Sequence, residues 1–138
     1  MQELPEVHFH IAALTEMSSK LMDMESYSNV SLYPGVKSNV LKELFRKCDL
    51  YLDINHESEI VSAVQKAFLY NQLIFAFKET LHNATYVAEE HIYQIDNVEQ
   101  MISDIRTIVF EQKSIKNHLE LQYTWALLEN VEKYSKIV

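Results

Sequence analysis

The sequence predicts an α/β fold: Rossmann-like and doubly wound, with a mainly parallel sheet and a helical C-terminal tail. Three observations predict it. Short runs of bulky apolar residues alternate with segments of helical period through residue 95, which is the order of βαβ units. One of those runs, Leu73 to Phe77 (LIFAF), is apolar at every position, as a strand covered on both faces must be. From Asn97 onward only the helical period remains.

Taken in order, Val7 to Leu14 (VHFHIAAL) reads as a strand. Thr15 offers an N-cap to a helix in which Met17, Leu21 and Met24 recur. Val30 to Tyr33 is a second strand, stopped by Pro34-Gly35. Ser38 can cap a helix whose Leu41, Leu44, Phe45 and Cys48 share one face. Asp49 to Ile54 gives a third strand, and Ile60, Val61, Val64, Ala67 and Phe68 line the next helix. The fourth strand, Leu73 to Phe77, runs into a polar loop over Lys78 to Tyr86, and a brief strand is expected at His91 to Ile95. Val98, Met101, Ile102, Ile105, Ile108 and Val109 form one helical stripe; Ile115, Leu119, Tyr123, Leu127 and Leu128 form another.

The expected organisation is a single domain over residues 1–138, with a βαβ core over 4–96 and helices over 97–138. Apolar residues make up 48% and charged residues 23%, an ordinary soluble balance. With one glycine and two prolines, Gly-rich phosphate loops and flexible linkers are nearly excluded. A net charge of −8 argues against a nucleic-acid partner, which needs clustered Lys and Arg. The single Cys48 forms no internal disulfide, and nothing resembles a signal peptide or membrane span, so the expected location is cytoplasmic.

In open parallel sheets the ligand crevice lies beyond the carboxyl ends of the strands. Three segments reach that edge: Leu14-Thr15-Glu16, then Asn55-His56-Glu57-Ser58-Glu59, then Lys78 to Asn83 (KETLHN). A helix starting near Glu57 would aim free N–H groups and a positive dipole end at a diphosphate. The plainer reading stands beside it: first-turn Glu57 and Glu59 favour the dipole by themselves, and Asn55 or Ser58 can simply cap. The candidate binding residues are therefore Thr15, Asn55, His56, Glu57, Ser58, Glu59, Thr80, His82 and Asn83.

Catalytic and metal-ligating groups are not signalled by spacing. The six histidines (His8, His10, His56, His82, His91, His118) show no HExxH-like pattern, although His8 and His10 share one strand face. Cys48 falls on an apolar helix face and reads as core. No nucleophile elbow marks any serine.

HFHIAALTEMSSKL, CDLYLDINHESEI, AFLYN and the ET-x-HN loop, taken together, resemble the C-terminal half of GT-B-type glycosyltransferases. Within that class they resemble the accessory-Sec glycosyltransferase pair of Gram-positive bacteria, which glycosylates serine-rich repeat adhesins. DLYLDINH and TLHN resemble the non-catalytic, chaperone-like subunit of that pair. The resemblance covers about residues 4 to 110 and implies a sugar-nucleotide cleft between two Rossmann-like halves, of which this chain holds the second. It implies a UDP-sugar as the ligand class, with no other cofactor. It implies a catalytic glycosyltransferase subunit and a serine-rich adhesin acceptor as partners, with the full complex working at the inner face of the cell membrane.

The resemblance also bears on catalysis. Retaining enzymes of this type carry two glutamates separated by seven residues at the Asn55–Glu59 cluster. Aligning on Ala67 to Asn71 puts Ser58 and Lys66 at those two positions. Frames starting at Glu57 or Glu59 give Gln65 or Ala67. A lysine cannot accept the hydrogen bonds that a carboxylate takes from a ribose. The cluster is thus a remnant or altered binding site, and the domain alone is expected to transfer no sugar. Two other readings remain open. One is the nucleotide-sugar half of an active transferase using Glu57 or Glu59. The other is a doubly wound domain that binds only protein partners through its tail. The tail stripe itself has two fates of equal weight, closure of the chain's own core or pairing with a second copy in a homo-oligomer.

Overall fold

The computed structural model describes residues 4–54 and 62–135. The chain divides into two compact units, Met1–Lys47 and Cys48–Val138. Each is described by itself.

The first unit pairs β1 (Phe9–Ala12) with β2 (Val30–Tyr33) in parallel, in register from Phe9 opposite Val30 to Ala12 opposite Tyr33. The connection holds a short helix, α1 (Ser19–Met22), and a 3-10 turn at Asp23–Ser26. The cap of α1 is Ser18 rather than Thr15: the Ser18 hydroxyl accepts the Leu21 N–H at 3.2 Å. The hydroxyl of Thr15 donates to its neighbour's carbonyl at Glu16, 3.4 Å away, so it offers nothing to a helix start three residues on. Pro34-Gly35 does end β2, with Gly35 in the left-handed region (φ +56°) that a Cβ would strain. Its N–H donates to the Thr15 carbonyl at 3.0 Å and the Val36 N–H donates to that of Ala13 at 2.8 Å, fastening the turn to the end of β1. Helix α2 (Ser38–Lys47) follows and buries Leu44 and Phe45, two of the four residues expected on its apolar face. The helix stops at Lys47, so Cys48 lies just past it and is half-buried rather than core.

The second unit is a three-stranded parallel sheet in the order β3 (Leu50–Asp53), β4 (Leu73–Phe77), β5 (Ile92–Tyr93). Parallel pairing with intervening helices is the α/β class that the alternation predicts. Every residue of β4 is buried, as its unbroken apolar run requires. Helix α3 (Ala63–Leu69) joins β3 to β4 and packs Ala63, Val64 and Ala67 inward. It opens at Ala63, after Ser62 in a left-handed conformation (φ 54°); the helix start expected near Glu57 lies outside the described residues. Between β4 and β5 the chain runs through 3-10 turns at Lys78–Thr80, Ala84–Tyr86 and Glu89–His91.

Helix α4 (Val98–Phe110) buries Met101, Ile105 and Ile108, the centre of its expected stripe. The long helix α5 (Gln112–Ser135) packs on β4, α4 and the Ala84–Tyr86 turn, but not with the stripe its apolar residues suggest. Gln122 and Ala126 are buried, while Tyr123, Leu127 and Leu128 are exposed. The cause is the sheet edge beneath. On one side β4 pairs with β3 along Leu73 to Ala76; on the other, β5 reaches only Ala76 and Phe77. The Gln122 side chain fills the gap. Its Nε2 donates to the Gln72 carbonyl and its Oε1 accepts the Ile74 N–H, both at 2.9 Å. These are the two bonds that one residue of a parallel neighbour would make. An orphaned pair there would cost about 1–3 kcal/mol per group, so the backbone's demand for an amide sets how α5 is turned. Among the described residues no helix is long and apolar enough to cross a membrane.

Candidate functional site

The carboxyl ends of β3 and β4 carry a buried polar cluster. Asp53, the last residue of β3, is buried. The chain leaving β4 turns at Lys78–Thr80 and comes back over it. The Thr80 hydroxyl donates to the Asp53 carbonyl at 2.8 Å and also lies 3.3 Å from the Phe77 carbonyl. The His82 N–H donates to Asp53 Oδ2 at 2.8 Å, and His82 Nδ1 meets Asp53 Oδ1 at 2.5 Å. An ionised carboxylate only accepts, so the proton between them sits on Nδ1, and Asp53 fixes both tautomer and ring orientation. An imidazole held in this way can exchange a hydrogen bond at Nε2 in a set direction. Asn83 acts locally, its Oδ1 accepting the Thr85 N–H at 3.3 Å to cap the next turn. Trp125 of α5 donates to the carbonyl of Ala84 at 3.4 Å, pinning that turn.

Of the residues singled out in the sequence, Thr80 and His82 come together on Asp53, with Asn83 beside them in the chain. Thr15 lies exposed at the end of β1 in the other unit. Asn55, His56, Glu57, Ser58 and Glu59 lie outside the described residues. Asp53 is the residue that spacing did not single out. The available signal was an acid ending an otherwise apolar strand, facing a Thr-x-His pair after the next one.

A second cluster forms where the Glu89–His91 turn meets α5. His91 Nε2 stands 3.2 Å from His118 Nδ1, and Glu90 Oε1 is 3.3 Å from the first and 3.2 Å from the second. His91 is buried against Phe75, ring centroids 4.8 Å apart, and its Nδ1 has no hydrogen-bond partner. Burial outweighs the attraction of Glu90 and holds its pKa down, at about 4. Close by, the Tyr93 hydroxyl donates to Asp104 Oδ2 at 2.6 Å; burial and that bond hold the phenol protonated well above its ordinary range. In the first unit His8 and His10 do share a face. His8 Nε2 is 2.7 Å from the Ser31 hydroxyl and His10 Nδ1 is 3.0 Å from that of Tyr33, a cross-strand polar row.

Similarities to known proteins follow the same geometry. Residues 1–122 match the family model described as the GftB/GlyA-F C-terminal domain. The UDP-N-acetylglucosamine–peptide N-acetylglucosaminyltransferase stabilizing protein GtfB of Limosilactobacillus reuteri subsp. suis is 38% identical over 138 residues, covering 100% of this chain and 31% of that protein. The protein of the same name from Streptococcus agalactiae is 41% identical, covering 100% of this chain and 30% of that one. In fold, the chain matches the crystal structure of a GtfA/B complex bound to UDP and GlcNAc with a TM-score of 0.83 and 40% identity, over 91% of this chain and 28% of that one. The glycosyltransferase GlyE of Streptococcus pneumoniae matches with a TM-score of 0.69 and 33% identity, over 77% of this chain and 27% of that one. The chain thus spans about a third of the length of the curated relatives it matches.

Proposed function

The chain belongs to the GftB/GlyA-F C-terminal domain family, and from that premise we propose that it is the C-terminal half of a GT-B-type, non-catalytic subunit. That subunit stabilises a catalytic glycosyltransferase and helps it glycosylate serine-rich repeat adhesins in the cytoplasm, at the inner face of the membrane. The observation that carries the proposal is identity of 38–41% along the whole chain to proteins named for stabilising a peptide N-acetylglucosaminyltransferase. The fold match to a GtfA/B complex adds a partner of the expected kind.

In this reading the two units belong to one Rossmann-like domain. Thr80, His82 and Asn83, beyond the carboxyl end of β4, serve a worn nucleotide-sugar site in this reading, for which the sequence also nominates Thr15 and Asn55 to Glu59. Asp53 serves it by orienting His82 and holding the loop after β4. Such an arrangement positions a polar ligand. It lacks the paired carboxylates of a retaining transferase, since Ser58/Lys66, Glu57/Gln65 and Glu59/Ala67 each miss at least one.

A second reading, the nucleotide-sugar half of an active transferase, is favoured by the likeness to GlyE, 34% identical over 77% of this chain. One experiment separates the two. The full-length protein is combined with its catalytic partner and an adhesin acceptor peptide, as wild type and as Glu57→Gln and Glu59→Gln. The stabilising role predicts unchanged transfer in both variants and faster thermal loss of transferase activity when this protein is left out. Transfer abolished by either substitution, with the complex still assembled, supports the enzymatic reading.

A further inference from the structure

We propose that Glu90, His91 and His118 form a binding site for a first-row divalent cation of the zinc type, which clips α5 to the turn before β5. Three observations carry it. The first is size. Zinc bonds of about 2.0–2.1 Å in a tetrahedron put neighbouring ligand atoms about 3.3–3.4 Å apart. The triangle of His91 Nε2, His118 Nδ1 and Glu90 Oε1 has edges of 3.2, 3.2 and 3.3 Å. The side chains already stand as three corners of such a tetrahedron.

The second is the discomfort of the bare cluster. His91 is almost fully buried, with Nδ1 unpartnered. With its proton on Nε2, it leaves a buried lone pair at Nδ1 without a donor. With its proton on Nδ1, that N–H is buried without an acceptor, and the Nε2 lone pair sits between His118 Nδ1 at 3.2 Å and the Glu90 oxygen at 3.3 Å. A cation inside the triangle coordinates that Nε2 lone pair together with the Glu90 carboxylate and His118 Nδ1.

The third is access. The side chains of His118 and Glu90 are about one-third and one-half exposed, so an ion can enter from solvent and keep water at the fourth corner. Two histidines and one carboxylate are a donor set that zinc accepts. The ligands come from two elements, 27 residues apart between the histidines. Bound metal therefore acts as a cross-link between α5 and the β4–β5 connection rather than as a local loop clamp.

The test uses the full-length, untagged protein, stripped with chelator and titrated with Zn²⁺ and with Co²⁺ as the spectroscopic probe. His118→Gln and Glu90→Gln both alter accessible side chains and are checked for folding by circular dichroism. The wild type should bind one ion tightly at this cluster, show tetrahedral cobalt absorption and melt at a higher temperature with zinc than without. Each variant should bind at least about tenfold more weakly, by analogy with the loss on disturbing even outer-shell partners, and lose the zinc-dependent rise in melting temperature. Equal zinc affinity in wild type and both folded variants overturns the site, as does the absence of tetrahedral cobalt absorption in the wild type.

Discussion

Two histidine–carboxylate pairs in the same unit are inverted copies of one another. At the carboxyl end of the sheet, Asp53 is 3% exposed and its partner His82 is 19% exposed. At the α5 contact, His91 is 3% exposed and its partner Glu90 is 49% exposed. In the first pair the fold is built around a buried anion and supplies it with an N–H and an imidazole. In the second it is built around a buried neutral base and leaves one of its nitrogens unpartnered. The contrast teaches that the buried member fixes the charge state a site favours. One pair is complete within the chain; the other keeps a buried nitrogen, Nδ1, that no described residue meets.

Removing the buried anion should have the largest effect. Asp53→Ala strips the His82 N–H and ring of their acceptor and is expected to cost about 3 kcal/mol or more in denaturant unfolding. A loss below about 1 kcal/mol would break the contrast, because Asp53 would then be no more integral than Glu90.

The buried base gives a pH signature in metal-free protein. The folded-state pKa of His91 is lowered to about 4 from 6.5, so the unfolded chain takes up the proton first. Its stabilising contribution is whole above pH 6.5 and is lost as pH falls from there to about 4. The expected loss is on the order of 3 kcal/mol, set against the nearby charges of Glu90, His118 and Asp104. Melting temperatures across this window should fall in the wild type and stay flatter in His91→Gln.

Gln122 is a buried polar group that carries no charge. Gln122→Leu removes the two bonds that the amide makes to the Gln72 carbonyl and the Ile74 N–H and is expected to cost about 2 kcal/mol, independent of pH. Least of all, Leu128→Asp on the exposed side of α5 should shift stability by no more than about 0.5 kcal/mol. Sedimentation of that variant beside the wild type reads out whether this side pairs with a second copy.

What is legible in the sequence follows from how local each cause is. Strand β4 can be read because burial on both faces writes itself as five consecutive apolar residues. Thr80 and His82 can be marked because position after a parallel strand is itself a signal. Asp53 cannot, since an acid that ends a strand looks like an exit to solvent until its partners, 27 and 29 residues on, fold over it. The stripe on α5 misleads for a related reason. Leu119, Tyr123 and Leu127 repeat every four residues, yet the surface awaiting the helix is the unfinished backbone edge of β4, which selects Gln122. Glu90, His91 and His118 match no ligand spacing because the turn and the helix that bring them together are joined only in three dimensions.

The amide of Gln122 also has a consequence in time. Ile74, whose N–H it accepts, is 48 residues earlier in the chain. A ribosome adding about 5–20 residues per second finishes β4 some seconds, about 2–10, before it has made the side chain that closes β4's edge. For that interval the most apolar strand of the unit has open hydrogen-bonding groups, the condition in which strands pair with the wrong neighbour. The nascent chain therefore passes through a stage that favours aggregation, and a Gln122→Leu chain lacks the amide that ends it. Its soluble yield should fall more steeply with expression rate than its folded stability alone would dictate.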